Sequence, residues 1–485
     1  MLAAFEKSFG ASRSDVLCKF CFLKKFPLYL RPIALRSLLV GLLFFAYGFE
    51  TTAQTGGSVF PPRIDLETAV EKALENNPQI KIADAATRLA DAKIAEAKAG
   101  RMPSVEFSQS VVRSNNPVFV FGSLLEQGRF RESNFSLDAL NNPGGLSNFR
   151  SLVSFQQPLF DRKQTGSKTS QAEIAKRQSV LHAEKVRQEL SFDVFRSYYS
   201  VVLGRELLAV SLEAVKSAEA NCKKTKDMVE VGMTTDADFL AADVELSSAR
   251  QQLLEAENNL VAATAALNIA IGQRADRQYE LTGDLTEKYF PLDEQNDRIR
   301  IAFENRPDYK SAELAVEIAR EQSRAVKNQK LPQVSAFGNF GYSSPYIANG
   351  STDYTVGVNL SYTLFDAARK PRLEQSATAE AIAELEKESL GNQIRLDVIR
   401  ALQNYKTARA KIQVSIKSIT QAAEALKMIH DRYKFGLTTF NEVLRAESAL
   451  VRSKHNLLIS RFDYLTGYAS VLLATGELTD VRLLN

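Results

Sequence analysis

Along four long stretches of the chain apolar residues recur at alternating steps of three and four, and along four short ones they recur at every second position. The clearest long row is Phe239, Ala242, Leu246, Ala249, Leu253, Ala256, Leu260, Ala263 and Leu267. Val443, Ala446, Leu450, Ser453, Leu457, Ser460 and Tyr464 keep its register with more small and polar members. A 3.5-residue period is the seam of a coiled coil. Ahead of each row lies a proline-free run, Asp161 to Val231 and the stretch after Pro371, and in the second Ile412, Ile416, Ile419, Ala423 and Leu426 repeat the spacing. A helix of about 70 residues is on the order of 105 Å long. Each half therefore predicts a rod folded back on itself, turning at Val231-Gly232-Met233-Thr234-Thr235 or at Phe435-Gly436-Leu437-Thr438-Thr439 and returning to Gly272 or Gly476. Glycine suits the reversal because only it adopts a left-handed backbone cheaply.

The period-two segments come in pairs: Val105, Phe107 and Val111 with Val153 and Phe155; then Val334, Ala336, Gly338 and Phe340 with Val356, Val358, Leu360 and Tyr362. Each pair ends in Leu-Phe-Asp, at Leu159-Phe160-Asp161 and Leu364-Phe365-Asp366. Segments of about 10 residues have the length of a tilted membrane strand. The turn from Ser343 to Asp353 is short. The connection from Arg113 to Asn148 is long and reads first as a surface loop with a local apolar cluster at Val118 to Phe121; an extracellular cap and an inward fold are the alternatives.

The halves are copies. Asn77-Pro78 returns as Arg306-Pro307 and Pro103 as Pro332, each 229 residues later. We divide the chain into 54–272 and 298–478 as repeats, 273–297 as a polar linker and 479–485 as a tail. Four strands cannot close a barrel, and an open edge in lipid leaves backbone groups unpaired at several kcal/mol each. Chains must pool strands. Bacterial barrels carry even numbers from about eight upward, so two copies or three satisfy the rule.

Composition narrows the rest. The 485 residues are 45% hydrophobic and 24% charged, the profile of a folded chain, and 61 basic against 57 acidic residues give no nucleic-acid signature. Residues 1–53 read as an export signal: Lys24, Lys25, Arg31 and Arg36 precede the apolar run Ser37 to Phe49, which is too short to span a bilayer. Cys18 and Cys21 fall inside it, leaving Cys222 alone in the mature chain. His182, His430 and His455 are isolated, so no metal site is expected, and Gly166-Ser167-Lys168-Thr169 lacks the upstream glycine of a phosphate loop. No catalytic constellation and no cofactor site emerges, and the chain is not expected to be an enzyme.

The ordered set of marks occurring twice (the Asn-Pro or Arg-Pro helix start, the proline before each strand pair, Pro158-Leu159-Phe160 and the two Gly-(Met/Leu)-Thr-Thr turns) resembles the TolC-like outer-membrane efflux proteins from Asp65 to Leu478. The resemblance implies a mainly α chain with a small membrane β part. Its duplicated helical hairpins would form a periplasmic α-barrel, and its four strands would join a trimeric twelve-strand β-barrel in outer-membrane lipid. It further implies a passive exit duct of a tripartite efflux or type I secretion system. The partners implied are two sibling chains, a periplasmic adaptor (membrane fusion) protein and an inner-membrane RND or ABC transporter. By the same resemblance Asp238 and Tyr433 hold a closed gate and Glu442 forms an acidic pore ring, while Gly232, Met233, Thr234, Gly436, Leu437 and Thr438 meet the adaptor. Thr438 and Arg445 depart from the best-known member, which has a gate arginine and a second pore acid there. Residue by residue, Asp238 and Glu442 also read as helix caps in Thr-x-x-acid boxes with Thr235 and Thr439. The competing class is a periplasmic coiled-coil scaffold or adaptor outside the membrane, which gives no reason for four period-two strands.

Overall fold

The computed structural model describes residues 62–285, 290–292, 294–347 and 349–478; the expected export signal with Cys18 and Cys21, and the tail, lie outside the described residues. A short strand β1 (Arg63–Ile64) leads into α1 (Leu66–Asn76) and α2 (Pro78–Ala99). Asp65 accepts the Thr68 N–H to start α1, and Asn77 accepts the Gln79 N–H to start α2, with Pro78 at the first helical position where its missing N–H costs nothing. Then come β2 (Ser104–Ser114), α3 (Pro117–Glu126), α4 (Leu137–Asn141), β3 (Leu146–Asp161), the rod α5 (Gln164–Glu230) and its return α6 (Asp236–Ala270). The second copy runs β4 (Glu280–Leu281), α7 (Gln295–Asn305), α8 (Pro307–Asn328), β5 (Gln333–Ser344), β6 (Ser351–Ser361), α9 (Arg369–Lys434) and α10 (Phe440–Thr475). At 1.5 Å per residue the rods are about 100 Å long.

All four rod helices end the same way. Gly232, Gly272, Gly436 and Gly476 are left-handed, with φ of 69° to 72°. In each case the glycine N–H and the next N–H bond back to carbonyls three and five residues earlier, as in Gly232 to Val229 and Met233 to Met228. This satisfies carbonyls the helix end would otherwise orphan. Gly272 and Gly476 also press against the backbone of Asn76 and Arg306, where an added Cβ would come within 2.9 Å.

The core lies midway along the rods and draws on both copies: Val194, Phe195, Tyr198 and Val202 of α5, Ile394, Val398 and Leu402 of α9, Ile271, and Ile64 and Val70 from the amino-terminal elements. Each such side chain contributes about 1.5–3 kcal/mol when fully buried. The segment read as a polar linker or equatorial segment contributes to this core. β4 pairs in parallel with β1, Leu281 and Leu285 are buried, the Tyr198 hydroxyl accepts the Gly283 N–H at 2.9 Å, and α7 already begins at Gln295. Its polar composition hid a strand of two residues and a few anchoring apolar side chains.

The seam of α9 also differs from the expected row. Ile416 and Ala423 are exposed, and the buried line passes through Tyr405, Ala408, Ile412 and Ser415. From Ile412 the step of three precedes the step of four. The facing positions on α10 are Ser453 and Ser460, and Ser418 and Ser415 meet their hydroxyls at 3.0 and 3.5 Å. Ser453 and Ser460 also donate to the Ala449 and Asn456 carbonyls of their own helix, at 2.9 and 2.7 Å, so small hydroxyl side chains pack this seam without an unpaired donor.

The sheet has the order β2-β3-β5-β6, antiparallel throughout. Pairing places Val105, Phe155, Gly338 and Val356 in one cross-strand row and Phe107, Val153, Phe340 and Tyr354 in the next, on the same face. That face is apolar and bare: Val105, Phe107, Phe340, Val356, Val358 and Leu360 are all exposed. The opposite face is polar, with Glu106, Ser154, Asn339 and Thr355 in one row. The Leu-Phe-Asp marks are not equivalent: β3 runs to Asp161 with an irregularity between Pro158 and Phe160, but β6 stops at Ser361 and leaves Leu364 and Phe365 exposed. β3 is flanked on both sides, while β6 is an edge.

The long connection is not a plain surface loop. Asn116 caps α3, Phe130 packs edge-on against Phe121 and Phe135 at 4.9 and 5.1 Å, and the carboxyl end of α3 rests on the polar face of the sheet. Gln127 donates to the Ser147 carbonyl and to Asn148, each at 3.0 Å, and Arg150 pairs with Glu126 at 2.9 Å and Asp353 at 3.2 Å.

Candidate functional site

The tips of the two hairpins meet in one chain. Phe440, Val443 and Leu444 of α10 bury against Ala242 of α6, with Tyr433 packed beside them and its ring 5.7 Å from that of Phe440. This apolar contact holds two differently wired turns.

At the first turn Thr235 caps α6, its hydroxyl accepting the Asp238 N–H at 3.3 Å. The Asp238 carboxylate does not close the reciprocal half of the box. Its Oδ2 accepts the hydroxyls of Thr234 at 2.6 Å and Thr235 at 3.1 Å. Tyr433, from the other hairpin, faces this cluster: burial raises its pKa first, the Asp238 charge second, and a hydrogen bond with Thr234 pulls the other way. The structure thus brings Asp238, Thr234 and Tyr433 together. Thr234 was marked in the sequence only as a docking residue, and its pairing with Asp238 four positions on is the signal that its hydroxyl faces the helix start.

At the second turn the expected box does not form. Thr439 makes no side-chain cap, and Glu442 pairs along its own helix with Arg445 at 3.2 Å. The guanidinium one turn on outcompetes the helix start for the carboxylate. Glu442 therefore stands apart from the Asp238 cluster, and its geometry is that of an exposed charge pair rather than a bare acid. Beyond the turns themselves, Val231, Met233, Phe435 and Leu437 point outward, Met233 72% and Leu437 66% exposed. Two such apolar side chains at each hairpin end, four across the joined tips, exceed the scatter of single exposed residues.

Behind the tips polar groups tie the hairpins together. Asn221 of α5 donates to Glu447 of α10 at 2.7 Å, His430 lies 3.5 Å from the same carboxylate, and Ser448 donates to Glu245 at 3.0 Å. Glu245, Glu447 and Ser448 border a cleft of about 490 Å³ that includes His455. The His455 Nε2 is buried without a partner, and burial lowers its pKa. Among the described residues no group of three or more histidine, cysteine or acidic side chains is placed to hold a metal, and no helix is long and apolar enough to cross a membrane.

The family model described as outer membrane efflux protein matches residues 69–273 and 299–477, the two copies. The chain is 24% identical over 428 residues to the alkaline protease secretion protein AprF of Pseudomonas aeruginosa, covering 85% of this chain and 84% of that protein. Against the outer membrane protein TolC of Escherichia coli it is 20% identical over 440 residues, covering 87% and 84%. Among solved structures, the CmeC outer membrane channel of Campylobacter jejuni superposes with a TM-score of 0.71 at 17% identity, over 85% of each chain.

Proposed function

Because this chain belongs to the outer membrane efflux protein family and is a TolC-type outer-membrane channel with a periplasmic helical extension, not an enzyme, we propose that it is the exit duct of a tripartite efflux or secretion system. In this reading three chains pool their strands, the tips dock on a periplasmic adaptor, and an inner-membrane RND or ABC transporter supplies cargo. Channels of the TolC family form homotrimers. The observation that carries the reading is the sheet. A bare apolar face and two unpaired edges, β2 and β6, are unstable in water and in lipid alike unless identical edges pair around a ring with the apolar face outward. The tips supply the docking surface through Met233 and Leu437, with Gly232, Thr234, Gly436 and Thr438 shaping the turns. Asp238 and Tyr433 hold the tip closed. Glu442 lines the pore as a pair with Arg445.

Photo-crosslinkers at Met233 and Leu437 in cells test docking: an adduct with a periplasmic adaptor is the expected result, and a channel that functions without such an adduct removes that role. Planar-bilayer recordings test the gate. Tyr433→Phe and Asp238→Asn should raise conductance, whereas Arg445→Ala should raise cation preference by freeing Glu442, an effect that Glu442→Gln abolishes. Release of the protein by osmotic shock as a detergent-free monomer would remove the duct altogether.

A further inference from the structure

We propose that residues 115–145 form a second constriction inside the β end of the duct, latched to the wall by Glu126 and closed on the axis by the same segment of two sibling chains. The inference rests on the trimeric duct just described. If the apolar face of the sheet meets lipid, the polar face lines the bore, and this segment sits on the polar face at the end away from the rods.

The attachment is built and not incidental. Glu126 accepts hydrogen bonds from Asn148 and Ser343, both at 3.4 Å, besides its ion pair with Arg150. Arg150 reaches on to Asp353 and to Ser343, so one carboxylate of the insert is bound to β3 and β5 and, through the arginine, to β6. Gln127, 3% exposed, adds two bonds to the strand that follows the insert. α3 buries Val120 and Ser123, on the side of the helix from which the buried Gln127 follows. Its opposite side presents Val118, 82% exposed, and Leu125, and Leu137 of α4 is 78% exposed. Apolar side chains pointing away from the wall into a water-filled bore need a partner.

The dimensions supply one. Twelve strands spaced about 4.8 Å apart and tilted about 40° enclose a bore about 24 Å across between backbones. A helix is about 10–12 Å thick with its side chains. Three inserts resting on the wall therefore reach the axis, and their exposed apolar sides meet there.

Two measurements on the full-length protein in a Cys222→Ser background test this. First, Val118→Cys is treated with a short bis-maleimide; covalent dimers and trimers are expected. Second, Ser154→Cys, on the bore wall nearer the rods, is labelled from outside intact cells with a polymer-linked maleimide that cannot pass a narrowed mouth. Arg150→Ala should speed labelling about tenfold, the population change produced by removing a latch worth about 1.4 kcal/mol. Replacing 117–143 by a short glycine-serine turn should speed it at least as much. Because the label enters from outside, the state of the periplasmic tip does not affect the reading. A trimer that gives no Val118 adduct and labels at one rate in all variants overturns the constriction while leaving the duct intact. A protein that forms no trimer overturns both.

Discussion

The two copies repeat the same order of long helices and strands and differ in how equivalent helix starts are satisfied. In the first copy Asn77 accepts the Gln79 N–H with its amide oxygen and donates from its nitrogen to the Ala270 carbonyl at 2.9 Å, just before the left-handed Gly272. In the second copy Arg306 stands in its place. It donates to the equivalent Ala474 carbonyl at 3.4 Å, but it cannot cap a helix, and instead binds Asp308 at 2.6 Å and Asp397 at 3.4 Å. The tips repeat the contrast: a neutral hydroxyl cap at Thr235 against a charge pair at Glu442 and Arg445. At the Asn77 and Arg306 positions a helix cap is thus replaced by ion pairs while the equivalent carbonyl, Ala270 or Ala474, keeps its donor.

The contrast can be broken at several points. Arg306→Ala strands Asp308 with its side chain only 16% exposed, and should cost about 3–5 kcal/mol in denaturant unfolding of the solubilised protein. Asn77→Ala should cost only about 1–2 kcal/mol, and equal losses would dissolve the distinction. The Arg306 network also has a pH signature. Burial alone would raise the Asp308 carboxyl, but the hydrogen bond and charge of Arg306 outweigh it and hold the pKa below its ordinary value of 3.8. Its stabilisation is thus complete above that value and lost as pH falls through the folded-state pKa. A wild-type melting temperature that falls more steeply below about pH 4 than that of Asp308→Asn is expected.

The glycines come next. Gly272→Ala and Gly476→Ala combine left-handed strain with a backbone clash, whereas Gly232→Ala and Gly436→Ala meet nothing within 4 Å. The tip pair should cost about 1–2 kcal/mol and the other pair measurably more. The smallest effect separates the caps: Thr235→Ala should lose about 1 kcal/mol and Thr439→Ala close to nothing, because only the first makes a side-chain cap. Thermal melts of the two variants side by side decide it.

Features carried by local periodicity or by glycine were legible in the sequence: the rods, their reversals, the strand pairs and the duplication. Asp238 was identified, but its bonds to Thr234 and Thr235 in place of a reciprocal cap depend on a rotamer that spacing does not encode. The α9 seam was not fixed by spacing because Ile412 and Ile419 belong to both candidate rows, and which row is buried depends on the packing of α10 against it. The fold of 115–145 was beyond local reading for a plainer reason. Its anchors Glu126, Arg150 and Asp353 lie on separate elements far apart in the chain, and nothing in the periodicity around any of them announces the others.

The unpaired edges of β2 and β6 carry a genetic corollary. Since every copy completes its neighbours, a cell making equal amounts of sound and damaged polypeptide would assemble only about one ring in eight free of the damaged kind. Alleles that spoil the bore or the tip while leaving those edges intact should consequently behave as dominant, and alleles that spoil an edge as recessive.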